Sequence, residues 1–119
     1  MANITKNFTE KELQCPCCGK IAMDYAYMVD LQELRTLCNF GFKVNSGYRC
    51  ESHNAKVSKN SQNDHTKGMA VDIHMTNRYK RAELLKNLLN SGDFKDIAIA
   101  KTFIHIGRGR TAPGVGVYG

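Results

Sequence analysis

The sequence contains no apolar run that approaches the roughly 18 residues that a helix needs to cross a membrane. The segment Met1–Phe8 is polar and lacks the apolar stretch of a secretory signal. Internal repeats and low-complexity tracts are also absent. We therefore expect one globular domain over residues 1–119, without membrane insertion, that needs another delivery route if it works outside the cytoplasm.

Acidic residues are too few to balance the basic ones. The chain has 17 lysines and arginines against 11 aspartates and glutamates, a formal net charge of +6. A basic surface favours polyanions, including nucleic acid and anionic wall polymers. The basic residues are scattered along the chain, however, and this favours a solvated surface. We accordingly do not expect nucleic acid to be the main partner.

The cysteines are odd in number, so a complete disulfide framework would leave one thiol over. Their positions are Cys15, Cys17, Cys18, Cys38 and Cys50. Cys15 and Cys18 have the spacing of zinc ligands, and Cys38 or Cys50 with His53 would complete a structural zinc site. A disulfide between Cys15 and Cys50 and simple buried thiols are the alternatives. Since only one Cys-x2-Cys pair is present, a zinc-knuckle protein that binds nucleic acid is the weaker interpretation.

Apolar periodicity predicts two main helices. Asp24 is the expected N-cap of the first, which runs to about Phe40, and Asn77 caps the second, which reaches about Asn90. The residues expected to face the core are Tyr27, Met28, Leu31, Leu34 and Cys38 in the first helix and Ala82, Leu85, Leu88 and Leu89 in the second. Residues 10–13 are expected to form a short turn capped by Thr9, residues 51–57 a short helix, and residues 58–64 a polar turn.

Shorter apolar or alternating segments predict the strands. They are Phe42–Asn45, Met69–Met75, Ile97–Ala100 and Thr102–Ile106, with Val115–Tyr118 as an edge strand. Strands followed and separated by helices in this way are typical of an α+β domain. We expect two main helices packed on one face of a small, mostly antiparallel sheet, with the functional residues on the other face.

Two of the predicted strands each carry one metal-competent residue on the face away from the core. In Met69–Met75 the apolar residues alternate with Asp72, and His105 interrupts another apolar strand. If these strands are neighbours, the two backbones lie about 5 Å apart at this point. His65 precedes this strand, and Gly68 permits the turn that brings it back. Two imidazoles and a carboxylate suit a catalytic zinc with an open fourth position, although this spacing alone is not specific.

Three motifs in this order resemble the zinc D-alanyl-D-alanine peptidase family. They are Ser46-Gly-Tyr-Arg49 followed by Asn54, then His65-x-x-Gly68-x-Ala70-x-Asp72, and last the apolar strand that carries His105. The family includes D-Ala-D-Ala carboxypeptidases, dipeptidases and the L-alanyl-D-glutamate endopeptidases of phage lysins. The ordered matches cover residues 42–106. The cysteines at positions 15, 17 and 50 are similar to those of a phage-associated branch.

The resemblance implies that His65, Asp72 and His105 bind one zinc ion. It implies that Arg49 binds a substrate carboxylate or polarises the scissile carbonyl. The implied reaction is hydrolysis of a peptide bond in peptidoglycan stem peptides by metal-activated water, of the D-Ala-D-Ala carboxypeptidase or the L-Ala-D-Glu endopeptidase type. We expect a monomer that acts on the cell wall, either as a phage protein released at lysis or carried on the virion, or after export by an unknown route.

The sequence departs from the family pattern where acids are expected. Gly107 stands where many relatives have aspartate, and Thr102 stands where other branches have an acidic general base. Asn63 also replaces a serine found in many relatives. The general base is therefore unassigned, with Asp64 and His74 as candidates. Because the base is missing, a zinc-dependent module that binds wall peptide with little or no turnover is the alternative function.

Overall fold

The computed structural model describes residues 3–57, 63–109 and 114–117. The helices are α1 (Glu10–Leu13), α2 (Tyr25–Cys38), α3 (Glu51–Val57) and α4 (Arg78–Ser91). The strands are β1 (Asn3–Thr5), β2 (Phe8–Thr9), β3 (Lys43–Ser46), β4 (Ala70–His74), β5 (Asp96–Ile99), β6 (Phe103–Gly107) and β7 (Gly114–Val117). A small hairpin pairs β1 with β2, and a five-stranded sheet has the order β3-β4-β6-β5-β7. Its neighbours are antiparallel except for the parallel pair β5 and β7.

The two long helices cover one face of the five-stranded sheet. Apolar residues of α2, α4 and the central strands belong to one buried cluster, which includes Tyr27, Leu31, Leu34, Leu84, Leu88, Val71, Ile73, Ile104 and Ile106. Because side chains alternate along a strand, the residues between these apolar positions in β4 and β6 point to the opposite face. The predicted α+β class, with two main helices on one face of a mostly antiparallel sheet, is confirmed.

Side-chain caps set where the long helices begin. Asp24 accepts a hydrogen bond of 2.8 Å from the amide of Tyr27 at the start of α2, and Asn77 accepts two at the start of α4. At the other ends, Asn39 and Gly92 adopt left-handed conformations with φ of 56° and 70°. Both N-caps agree with the sequence prediction.

The buried face of α4 differs from the prediction. Leu84 and Leu88, one turn apart, are fully buried, whereas Leu89 is 59% exposed and Ala82 also faces solvent. Ala82 and Leu89 are seven residues apart and therefore share one side of the helix. Leu88 is buried and Leu85 packs against the core as predicted, so the prediction is wrong only for Ala82 and Leu89, and Leu84 is buried in their place. Neighbouring leucines at 84–85 and 88–89 offer two apolar stripes, and packing on the sheet selects one.

Several shorter segments also differ from the prediction or extend it. The β1–β2 hairpin was not predicted, because strands of three and two residues carry almost no periodic signal. Residues 58–62 of the predicted turn and Tyr118 of the predicted edge strand lie outside the described residues. Within the part of the chain that the structure describes, no helix has the length and apolarity needed to cross a membrane.

Candidate metal centre

The register of β4 against β6 places Asp72 directly opposite His105. Their flanking residues Ile73 and Ile104 are buried in the core, so both polar side chains leave the sheet on the face away from the helices. Nδ1 of His105 lies 2.8 Å from Oδ1 of Asp72. The predicted pairing of Asp72 with His105 across the two strands therefore forms, and it brings two of the three candidate ligands together.

His65 reaches the same place from the turn that precedes β4. Its Nε2 lies 3.4 Å from Oδ1 of Asp72, and its ring centroid lies 5.1 Å from that of His105. The turn depends on Gly68, which has a φ of +70° and whose carbonyl accepts a hydrogen bond from the amide of Asp24. A Cβ at Gly68 would lie 1.9 Å from the carbonyl oxygen of Ala22. Only glycine fits this crossing of two backbones.

The loop after β3 orients His65 from behind. The carbonyl oxygen of Gly47 lies 2.8 Å from Nδ1 of His65, and the amide of Arg49 donates to the carbonyl of His65 at 3.2 Å. The amide of Tyr48 donates to the carbonyl of Leu13, and a Cβ at Gly47 would lie 2.9 Å from Cα of Leu13. The Ser-Gly-x-Arg motif therefore joins α1, the arginine and the first histidine.

A cavity of about 410 Å³ opens over these side chains. It is lined by Arg49, Val57, Asn63, His65, Asp72, Phe103 and His105. Arg49 and the three polar residues thus share one solvent-accessible space. A molecule that enters the cavity would contact a guanidinium and the cluster of His65, Asp72 and His105 together.

The donor atoms of the cluster fit a metal cation. One ligand atom from each of His65, Asp72 and His105 lies within 4.8 Å of the others. Nε2 of His65 is buried and makes no hydrogen bond within residues 3–57, 63–109 and 114–117. An orphaned buried nitrogen is costly unless something binds it. A cation between the three side chains would satisfy this nitrogen.

The pKa values of the cluster also favour positive charge at its centre. Burial alone would raise the pKa of Asp72, but its hydrogen bond with His105 and the electrostatic attraction of His65 outweigh burial and hold the pKa well below its ordinary value. Burial would lower the pKa of His105, yet the carboxylates of Asp72 and Asp96 raise it from 6.5 to about 9. A buried carboxylate between two imidazoles attracts a proton or a metal ion.

The two candidate bases from the sequence lie outside the cavity lining. Oδ2 of Asp64 accepts a hydrogen bond of 3.0 Å from the amide of Gly109. His74 is on the same strand as Asp72, but it does not line the cavity. Thr102, in the position of an acid in other branches, is exposed before β6.

Gly107 has a steric explanation. A Cβ at this position would lie 2.9 Å from Oδ2 of Asp64 and 3.0 Å from Nε2 of His105. The carboxylate of Asp64 therefore occupies the space into which a side chain at position 107 would extend. Position 107 thus lacks the aspartate of the family pattern, but the carboxylate of Asp64 lies beside it.

Asp96 is a second acid at this point, and the sequence reasoning missed it. It pairs with Gly107 across β5 and β6, and its Oδ2 lies 3.4 Å from Nε2 of His105. The hydrogen bond with His105 lowers the pKa of Asp96. Its side chain is 54% exposed. The predicted strand began at Ile97, one residue too late, and only the register of β5 could have revealed the contact.

The cysteines separate into a cluster and a single residue. Cys15, Cys17, Cys18 and Cys50 gather at one place, with all thiols free. Cys38 lies apart on α2, where the side-chain amide of Asn87 donates to its sulfur at 3.5 Å. The structure does not agree with a zinc site that uses Cys38 or the His53 side chain as a ligand. It also does not agree with a disulfide between Cys15 and Cys50.

Comparison with known proteins adds one finding to this geometry. The model of a family described as Peptidase M15 matches residues 6–107. The match includes the cysteine cluster, the loop of residues 47–49 that carries Arg49 (the arginine loop) and the three residues of the candidate metal centre. No curated protein matches the chain significantly.

Proposed function

Because the chain belongs to the peptidase M15 family of zinc peptidases, we propose that it hydrolyses a peptide bond in peptidoglycan stem peptides. The proposed zinc ligands are Nε2 of His65, the carboxylate of Asp72 and Nδ1 of His105. The observation that carries this proposal is the convergence of these donor atoms at the floor of a cavity shared with Arg49. Three protein ligands leave a fourth position open, as catalytic zinc sites do.

When bound in such a site, zinc supplies Lewis acidity and lowers the pKa of water toward 7. The chain's own contribution begins with the tautomers of the two histidines. The carbonyl of Gly47 only accepts hydrogen bonds, so Nδ1 of His65 carries the proton and Nε2 keeps its lone pair for the cation. This arrangement is independent of any metal.

Asp96 has the matching role for His105. Its carboxylate faces Nε2 of the ring while Nδ1 faces Asp72. A proton held at Nε2 by Asp96 leaves Nδ1 available as the ligand atom, and a carboxylate behind a ligand histidine increases its basicity. Asp96 is therefore a positioning residue. It lies on β5 opposite Gly107, the residue that replaces the family aspartate.

Arg49 supplies positive charge on the substrate side of the cavity. Its backbone amide donates a hydrogen bond to the carbonyl of His65, which fixes the position of the arginine backbone relative to the proposed ligand. A guanidinium binds a terminal carboxylate in a bidentate manner, and it also stabilises charge that develops on a carbonyl oxygen. The first role suits a carboxypeptidase and the second suits an endopeptidase.

The test is digestion of purified peptidoglycan with zinc-loaded wild type, His105→Ala and His74→Ala, with the fragments identified by mass. His74 is the matched control, because it is a half-buried strand histidine outside the cavity. We expect fragments from wild type and His74→Ala and none from His105→Ala. Free D-alanine would identify a carboxypeptidase, and longer peptides an endopeptidase. Equal release by wild type and His105→Ala would refute the proposal.

One observation favours a second candidate function. Among the described residues that line the cavity, Asp72 is the only carboxylate, and it is a proposed ligand. A zinc-dependent module that binds wall peptide without cutting it needs no proton acceptor there. Sedimentation of the zinc-loaded protein with peptidoglycan, without release of fragments, would support this function. Loss of sedimentation in His105→Ala would assign the binding to the same site.

A further inference from the structure

Four cysteine sulfurs form a compact group next to the arginine loop. Sγ of Cys15 lies 3.5 Å from that of Cys17 and 3.6 Å from that of Cys50. The sulfurs of Cys17 and Cys50 are 3.3 Å apart. Cys18 completes the group, in which all four sulfurs lie within 4.8 Å of one another.

These separations are those of a tetrahedral thiolate site. Zinc binds cysteine sulfur at about 2.3 Å, so the corners of a regular tetrahedron are about 3.8 Å apart. A disulfide brings two sulfurs to about 2.05 Å and has no need of the other two. Three sulfurs at 3.3–3.6 Å from one another, with the fourth within 4.8 Å of each, are therefore explained by one shared cation better than by one pair of bonded thiols.

The backbone around the cluster is built to hold it. The amide of Cys15 donates to the carbonyl of Lys20, and the amide of Gly19 donates to the carbonyl of Cys15, both at 2.8 Å. Gly19 has a φ of +72°, which lets the chain reverse direction directly after Cys18. Three ligands are thus presented by one tight turn.

The fourth ligand comes from the start of α3. The amide of Cys50 points to the sulfur of Cys15 at 3.5 Å, and the amide of His53 points to the sulfur of Cys50 at 3.4 Å. Hydrogen bonds from backbone amides favour the charged form of a sulfur, which is the form that binds metal. His53 contributes this amide, and its ring is not a member of the cluster.

We propose that Cys15, Cys17, Cys18 and Cys50 bind a structural zinc ion as four thiolates, separate from the candidate metal centre. Binding would release the thiol protons to solvent and leave no open position for substrate. The ion would link the turn of residues 15–19 to Cys50, the residue that follows Arg49. Since the same loop also holds Nδ1 of His65 through Gly47, this zinc would brace both the arginine and the first ligand of the other site.

The test is metal analysis of reduced protein reconstituted with zinc and freed of excess metal, supported by circular dichroism to show folding. We expect two zinc ions per chain in wild type, one in Cys17→Ser and one in His105→Ala. The matched control is Cys38→Ser, which removes a cysteine outside the cluster and should retain two. Retention of two ions by Cys17→Ser, or one ion in wild type that only His105→Ala loses, would overturn the proposal.

A second measurement covers the case in which Cys17→Ser does not fold. Wild type reconstituted with Co²⁺ alone should show the intense thiolate-to-cobalt charge-transfer absorption of a four-sulfur site, and His105→Ala should retain it. Absence of this absorption in folded wild type would exclude the cysteine site. The two sites are therefore judged separately, because loss of the histidine-bound ion leaves the sulfur spectrum unchanged.

Discussion

The replacement of Gly68 by alanine tests the tight crossing that brings His65 to the candidate metal centre. Two costs apply to this change. The left-handed φ of +70° costs an alanine about 1–2 kcal/mol. The new Cβ would also lie 1.9 Å from the carbonyl oxygen of Ala22 and 2.7 Å from Cα of Met23, so two backbones must separate. A backbone shift in a packed region raises the total to about 3 kcal/mol or more.

Gly92→Ala is the matched control for this prediction. Gly92 has the same φ of +70°, but a Cβ there meets nothing within 4 Å. Its substitution should lower the free energy of unfolding by only about 1–2 kcal/mol, the cost of the left-handed conformation. Urea denaturation of both variants gives the comparison. Equal losses of stability in the two variants would refute the steric explanation.

Gly68→Ala should also affect metal binding, because the turn carries His65. A displaced turn separates Nε2 of His65 from Asp72, now 3.4 Å away. We expect zinc to be lost from this centre under conditions in which Gly92→Ala retains it. Zinc analysis of the folded fraction measures this, and normal binding by Gly68→Ala would show that the turn does not position the ligand.

Three further predictions concern the surroundings of His105. In the metal-free protein the pKa of His105 is raised from 6.5 to about 9. The protonated imidazole therefore stabilises the fold fully below about pH 6.5, and this contribution to the free energy of unfolding is lost as the pH rises through about 9. Urea unfolding should show this decline in wild type and not in His105→Gln. Asp96→Asn should weaken zinc binding by about tenfold without unfolding the protein, measured by chelator competition, with the exposed Glu83→Gln as a control that changes nothing. Gly107→Ala should weaken zinc binding because its Cβ would lie 3.0 Å from Nε2 of His105, whereas an alanine at Gly114, in open space, should not.

The absence of the family aspartate at position 107 is explained by the acidic residues that surround this position. Gly107 has no room for a side chain because Asp64 lies beside it, and Asp96 approaches His105 from the neighbouring strand. Two acids from elsewhere in the chain therefore surround the place where many relatives have an aspartate. Replacing Gly107 by aspartate would add a third acid to a filled space, so we expect this change to weaken zinc binding.

Much of the fold could be predicted from interactions between residues that are near one another in the sequence. Strand alternation alone predicted that Asp72 and His105 share the face away from the core, since a period of two depends only on neighbours in sequence. The N-caps Asp24 and Asn77 were predictable for the same reason, because each bonds to amides within three residues. Gly68 was identified as the turn residue, although the crossing with Ala22 that requires it was not visible in the sequence.

Tertiary structure decided what depends on residues far apart in the chain. Packing or strand register decided three features: the burial of Leu84 in place of Leu89, the contact of Asp96 with His105, and the choice of Cys17 and Cys50 over Cys38. None of these leaves a periodic signal, because the partners are brought together by other segments. The sequence by itself determined which side chains are able to bind a metal, and the folded chain decided which of them meet.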